Sequence, residues 1–122
     1  MWPFSSNENL GEVNYTTKVT LQDNSDVPIE IDDFKENFGI YTILVTSTNN
    51  GNKPQGYFIV SRLNNKTSDG IYIKCGGSDG TNGETLEIIW KANNKPCLKF
   101  VNPDSKAPGN AQTEYIMRIK SI

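Results

Sequence analysis

The stretch FGIYTILVTSTNNGNKPQGYFIVSRLNNKTSDG, Phe38–Gly70, decides the fold. It holds two apolar runs separated by a loop of Asn, Gly, Lys, Pro and Gln, and turn-forming residues follow the second run. Such runs between turn residues are typical of β-strands. A strand with one face in water alternates apolar and polar residues, but these two are partly apolar on both faces. The sequence therefore raises the question of what covers their second face.

The rest of the chain repeats this pattern of short strand-like runs and turn-rich loops. Helical periodicity is limited to one turn within Asp32–Gly39. Short strands at this spacing without helices predict an all-β fold, an antiparallel sandwich of jelly-roll-like type. The eight predicted strands are Tyr15–Leu21, Pro28–Ile31, Gly39–Ser47, Gly56–Leu63, Gly70–Cys75, Thr85–Lys91, Pro96–Val101 and Thr113–Ser121.

The length and charge of the chain limit its organisation and its partners. A chain of 122 residues predicts one domain, over residues 13–122, and residues 1–12 have no periodicity and form a stub or junction. Lys and Arg number 12 against 14 Asp and Glu, so no basic stripe for nucleic acid is expected. No apolar run approaches the roughly 18 residues of a membrane span, so we expect no membrane insertion.

The sequence offers little for catalysis or metal binding. Histidine is absent, which removes the commonest general base and metal ligand. The neighbouring carboxylates Asp32 and Asp33 would point to opposite sides of an extended chain, so we expect no enzyme. Asp79, Asn82 and Glu84 do not reproduce the spacing of an EF-hand loop, and we expect neither metal nor cofactor.

The two cysteines, Cys75 and Cys97, lie in different predicted strands. They are either two thiols in the core or a bridge between neighbouring strands. The sequence leaves both alternatives open.

Two explanations remain for the surplus apolar face of the strands in Phe38–Gly70. The segment Met1–Asp33 could cover it within the chain, or a symmetric interface between subunits could bury it. The second explanation predicts an oligomer, because each buried apolar side chain contributes roughly 1.5–3 kcal/mol relative to exposure. The predicted interface residues are Ile40, Leu44, Phe58 and Val60, with Tyr41, Ile43, Tyr57 and Ile59 as alternates on the opposite strand faces.

The order of these strands resembles the C-terminal tip domains of trimeric tail or surface fibres from bacteriophages, large viruses and related bacterial systems. The resemblance covers about residues 13–122 and is carried by Gly39–Tyr41, Gly56–Val60 and the motif LEIIW…NNKP.LKF within Leu86–Phe100. It is a more remote match to the jelly rolls of the tumour-necrosis-factor and complement C1q-like group. The resemblance implies a homotrimeric, non-enzymatic fibre tip on a virion or cell surface that faces outward, with residues 1–12 joining the shaft.

This resemblance implies that loops recognise a glycan or protein receptor on a target cell. Connections alternate between the two ends of a sandwich, so Thr48–Gln55 and Gly76–Glu84 should share one end and Asn64–Asp69 the other. The simpler alternative is that the Asn and Gly residues only shape turns. The candidate contacts are Asn49, Asn50, Asn52, Lys53, Asp79 and Asn82, with Tyr72 as an exposed flanking aromatic because Ile71 and Ile73 should point inward.

Two other classes of protein are consistent with the sequence. A monomeric carbohydrate-binding module of a larger enzyme would show two or more exposed aromatics on a curved face. A soluble cytokine-like or complement-like trimer would share the trimeric assembly. The mass of the particle in solution and the exposed aromatics separate these alternatives.

Overall fold

The computed structural model describes residues 14–30, 40–48, 52–61, 70–91, 95–103 and 112–122. Within these ranges the chain forms strands and turns and no helix. The predicted all-β sandwich of eight short strands is confirmed. The strands are β1 (Asn14–Gln22), β2 (Asp26–Pro28), β3 (Ile40–Ser47), β4 (Gln55–Ser61), β5 (Ile71–Ser78), β6 (Thr85–Lys91), β7 (Lys95–Val101) and β8 (Gln112–Ser121).

The strands form two antiparallel sheets. The larger sheet has the order β1-β8-β3-β4-β5, and the smaller has the order β2-β7-β6. The nested pairs, β1 with β8 and β2 with β7, are the jelly-roll-like part of the topology, whereas β3, β4 and β5 form a meander. The strands β1 and β5 are therefore the two edges of the larger sheet.

The core lies between the sheets and is built by alternate residues of the facing strands. In β3, for example, Tyr41, Ile43 and Val45 are buried, and the residues between them face outward. This alternation follows from the period of two in a strand. The buried apolar side chains are Leu21, Ile29, Tyr41, Ile43, Val45, Phe58, Val60, Leu86, Ile88, Leu98, Phe100, Tyr115, Met117 and Ile119.

The predicted strand positions differ from the structure mainly at β2. We predicted Pro28–Ile31, but the ladder with β7 spans Asp26–Pro28. Ile29 is buried just beyond the ladder, although its N–H still donates to the Pro96 carbonyl at 2.9 Å. An apolar residue in a short connection can thus be mistaken for a strand residue. The predicted helical turn, Asp32–Gly39, lies outside the described residues.

A β-bulge interrupts the pairing of β5 with β4. Phe58 is opposite Lys74 and Tyr57 is opposite Gly76, so Cys75 is one extra residue on β5. Gly77, two residues on, has a φ of 138° and lies where a Cβ would be 2.2 Å from the Gln55 carbonyl oxygen. A side chain there would clash with the partner backbone, so glycine is required at this position.

One end of the sandwich is closed by polar contacts between the two sheets. The turn after β1 contains Asn24, a non-glycine residue with a φ of 58°. Its Oδ1 accepts a hydrogen bond from the Asn102 N–H at 2.8 Å, and the Asn102 Nδ2 donates to Asp23 Oδ2 at 2.8 Å. Asn102 is buried. These bonds hold the turn between the sheets against the end of β7.

The hydroxyl of Tyr115 lies inside this end of the core. It is buried and has no hydrogen-bond partner within the described part of the chain. Burial, followed by the nearby carboxylates of Glu84 and Asp23, raises the pKa of Tyr115 well above its usual value of 10.0. The folded protein therefore holds Tyr115 in its neutral form at a pH where an unfolded chain would ionise it.

We predict that Tyr115→Phe is neutral or slightly stabilising at neutral pH, because it removes a buried hydroxyl without a partner. In the wild-type protein, the free energy of unfolding does not depend on Tyr115 ionisation below the unfolded-state pKa of Tyr115. Above that pKa it decreases, by up to about 1.4 kcal/mol per pH unit. The phenylalanine variant lacks this loss. Urea unfolding at about pH 8 and about pH 11 should show its advantage increasing with pH. An equal difference at both values would contradict the shifted pKa.

Candidate functional site

The outer side of β3, β4 and β5 is apolar, and no described residue packs over it as a third layer. We call the six residues concerned the apolar face. Five of the six are exposed, with between 37% and 61% of their surface accessible to solvent, and the sixth, Ile59, is half-buried. Cross-strand pairing places Leu44 beside Tyr57 and Ile59 beside Ile73. The apolar face consists of Ile40, Leu44, Tyr57, Ile59, Ile71 and Ile73.

The predicted set of interface residues combined two opposite faces and must be corrected. Ile40 and Leu44 do lie on the outer side of β3. Phe58 and Val60 are fully buried in the core of the same chain, so they are unavailable to another subunit. Both faces of β4 are apolar, so the sequence could not decide which one pointed inward. The alternates Tyr57 and Ile59 are the β4 residues on the side of Leu44, while Tyr41 and Ile43 belong to the core.

The described part of the N-terminal segment does not cover the apolar face. Residues of β1 form one edge of the larger sheet, and β2 belongs to the smaller sheet. Residues 1–13 and 31–33 of that segment lie outside the described ranges. Exposed apolar patches of this kind mark contact surfaces in soluble proteins.

The second candidate surface is formed by loops at one end of the sandwich. This loop end includes the turns at residues 22–25, 52–54, 79–84 and 102–103, and β1 begins at the opposite end. The Thr81 N–H donates to the Asn52 carbonyl at 3.0 Å, and its hydroxyl donates to the same oxygen at 3.4 Å. The predicted neighbourhood of Thr48–Gln55 and Gly76–Glu84 is therefore confirmed for their described residues.

Glu84 stabilises the turn at residues 79–84 from within. Its side chain is buried, and its Oε1 accepts the Asn82 N–H at 2.8 Å. The Gly80 N–H donates to the Glu84 carbonyl at 2.8 Å. A Cβ on Gly80 would lie 2.4 Å from Glu84 Oε1 and 3.1 Å from Pro54 Cδ. The turn is therefore packed tightly against both the carboxylate and the neighbouring loop.

The predicted recognition residues comprise some that lie at the loop end, two that lie outside the described ranges, and Tyr72 on β5. The side chains of Asn52, Asp79 and Asn82 are exposed at the loop end, and Lys53 is half-buried beside them. The Thr81–Asn52 contact brings the two loops that carry them together. Asn49 and Asn50 lie outside the described residues. The loop end thus combines amides, a cation and a carboxylate, which can bind hydroxyl or peptide groups.

Tyr72 was predicted to be an exposed flank, and this prediction is wrong. Its ring packs edge-on to Phe58 with centroids 6.1 Å apart, and its hydroxyl donates to Glu87 Oε2 at 3.1 Å. Burial, followed by the Glu87 carboxylate, raises the pKa of Tyr72. Ile71 and Ile73 face outward instead. Because β5 lies at the edge of its sheet, the polar ends of its long inward side chains can pass beside the core and form hydrogen bonds with the opposite sheet. The polar residues of β5 therefore point inward.

Lys74, the next inward residue of β5, behaves like Tyr72. Its Nζ donates to the Leu86 carbonyl at 3.3 Å. Ile71 and Ile73 therefore belong to the apolar face, although their sequence pattern predicted that they point inward. The signal that could have identified them is Ile59, because adjacent strands present their apolar residues on the same side.

The two cysteines lie on different sheets and form no disulfide with each other. Cys75 is exposed on β5, and Cys97 is buried on β7. A bridge between them, one of the two alternatives, is therefore not formed. The alternative of two thiols in the core holds for Cys97 alone, because Cys75 lies outside the core.

Within the described ranges no three His, Cys, Asp or Glu side chains are grouped to hold a metal ion. No described helix is long and apolar enough to cross a bilayer. Comparison of the chain with protein-family profiles, with curated proteins and with solved structures found no match in any of the three. The structure thus defines an antiparallel β-sandwich domain with an apolar face and a loop end.

We predict that Gly80→Ala lowers the free energy of unfolding by about 1–3 kcal/mol, because the new Cβ displaces the Glu84 carboxylate from the Asn82 N–H. Gly76→Ala is the matched control, since a Cβ there meets no atom within 4 Å. It should change stability by less than about 0.5 kcal/mol. Urea unfolding of both variants tests this difference. Equal effects would show that the turn tolerates movement of Glu84.

Proposed function

We propose that the chain is the receptor-binding tip of a homotrimeric fibre on a virion or cell, facing outward and without enzymatic activity. The apolar face is the main observation in favour of this proposal. It is the surface that a subunit interface would bury, and it lies on the larger sheet. The loop end would then be the part of each subunit that binds a glycan or protein receptor.

The charge of the smaller sheet favours the larger sheet as the interface. The outward side chains of β2, β6 and β7 include Asp26, Lys91 and Lys99, and Lys91 Nζ pairs with Asp26 Oδ1 at 2.9 Å. Burial of charged side chains in an interface is unfavourable, because the cost of removing them from water can exceed the gain from pairing them. Burial of the remaining exposed surface of the apolar face is favourable, at roughly 0.5–2 kcal/mol for each side chain, because its exposed members have 37–61% of their surface open.

The position of the loop end agrees with a role in recognition. β1 enters the sandwich at the opposite end, so a shaft that preceded the chain would leave the loop end at the tip. The two linked loops present their polar side chains on one surface. Because a trimer carries three copies, weak individual sites would still hold a multivalent target through effective concentration.

The monomeric carbohydrate-binding module is the less favoured alternative. Such a module needs several exposed aromatics, and among the described residues Tyr57 is the one aromatic ranked as exposed. It lies within the apolar face rather than on a polar sugar platform. A soluble cytokine-like trimer would use the same interface, and it differs from a fibre tip in its target rather than in its assembly.

We predict that light scattering gives a particle of three times the chain mass of 13.6 kDa. Ile73→Asp should lower this mass without unfolding the chain, because it places a charge in the interface but outside the core. Thr20→Asp is the control on the outer side of β1 and should leave the mass unchanged. Val60→Asp should unfold the chain. A monomeric original protein at micromolar concentration would contradict the proposal.

We predict that the double variant Lys53→Ala and Asn82→Ala weakens attachment to the target cell several-fold, with an unchanged melting temperature and mass. Both side chains lie on the linked loops, and neither belongs to the core. Lys91→Ala, on the smaller sheet, is the matched control for loss of a lysine. Attachment that is equal in all three proteins would remove the loop end from the proposal.

A further inference from the structure

The outer side of β1 and β8 differs from the apolar face that it adjoins. It carries three exposed cations, Lys18, Arg118 and Lys120, which we call the basic row. Arg118 is opposite Thr16, and Lys18 is two residues along β1 from Thr16. Diagonal neighbours of this kind are about 7–8 Å apart, and two residues along β8 span about 7 Å. The basic row is therefore an oblique line of evenly spaced charges.

The basic row is not neutralised within the described part of the chain. None of its three side chains forms an ion pair there, and Arg118 Nη1 donates to Thr46 Oγ1 at 3.5 Å. The outward carboxylate on the same strand is Glu114, four residues and so about 13 Å from Arg118. Glu114 is opposite Thr20 and is therefore a diagonal neighbour of Lys18, about 7–8 Å away, but the two form no ion pair. The net charge of −2 conceals this separation of charge.

Hydroxyl and amide groups lie between and beside the cations. Asn14, Thr16 and Thr20 are exposed on the outer side of β1. Thr42 of β3 is opposite Lys120, and its hydroxyl donates to the Lys120 carbonyl at 3.3 Å. This surface thus offers single positive charges interleaved with groups that can hydrogen-bond to hydroxyls.

We propose that the basic row binds an acidic polysaccharide, a chain of hydroxylated sugars with regularly spaced carboxylate or sulfate groups. The exposed outer side of the β1–β8 pair offers the row to an extended ligand that crosses two strands. Nucleic acid fits less well, because the outer side of β1 and β8 has no aromatic residue on which a base could stack. A lipid surface also fits less well, since Ile116 is the one apolar side chain among these outward residues.

This inference uses a different surface from the loop end and does not require the trimer. In a trimer built on the apolar face, repulsion between copies of the basic row would keep β1 and β8 away from the axis. The row would then remain accessible on the flank of each subunit. The overall charge gave no indication of a basic stripe, whereas the positions of the charges in the fold place three cations in one row.

The test measures binding of dextran sulfate, with neutral dextran as the comparison ligand. The triple variant Lys18→Gln, Arg118→Gln and Lys120→Gln should bind dextran sulfate roughly 10-fold or more weakly than the original protein. The matched control, Lys91→Gln, Lys95→Gln and Lys99→Gln, removes the same charge from the smaller sheet and should bind nearly as well as the original. Binding by the original protein should weaken as salt is added.

Several outcomes would overturn the proposal. They are an equal loss in both triple variants, equal binding of neutral dextran, and no binding of dextran sulfate by the original protein. Binding to phosphatidylserine vesicles without binding to dextran sulfate would indicate a membrane ligand instead. Particle mass and melting temperature are measured for every variant, so a failure of the basic row is distinguished from a failure of the proposed trimer.

Discussion

The pairing of β8 with both β1 and β3 is the constraint on which the rest of the structure depends. It joins the first and last strands of the sandwich at one edge of the larger sheet and connects them to its central strand, β3. Tyr115, Met117 and Ile119 then face the core, and Arg118 and Lys120 must face outward because the side-chain period is two. A shift of one residue would bury the cations, so the core and the basic row are fixed by the same register.

The sequence was sufficient to predict the number of strands and most of their positions, because each is a run of apolar or β-branched residues between turn signals. It was insufficient where local pattern and tertiary position conflict. Ile29 is buried beyond the β2 ladder, and the polar tips of Tyr72 and Lys74 reach across to β6. A local sequence pattern does not indicate whether a strand lies at the edge of its sheet. For β5, the edge position allows polar side chains to point inward and apolar ones to point outward.

The same limit applies to the candidate site. Periodicity indicated that β3 and β4 have two apolar faces, but it could not identify which face closes the core. The choice depends on the partner sheet, through Leu98, Phe100 and their neighbours. By contrast, the proximity of the two loops followed from simple alternation of strand direction, and the Thr81–Asn52 bond agrees with it. Topological rules thus predicted the loop end better than residue patterns predicted the apolar face.

The bulge at Cys75 also bears on the solubility of the chain. Edge strands with exposed apolar side chains can template the addition of further chains and so promote aggregation. β5 is such an edge strand and carries the exposed Ile71 and Ile73, but the extra residue breaks its regular ladder after Lys74. Only a short stretch is left that another strand could extend in register. The bulge therefore restricts uncontrolled growth of the sheet while the apolar side chains remain available for a specific contact.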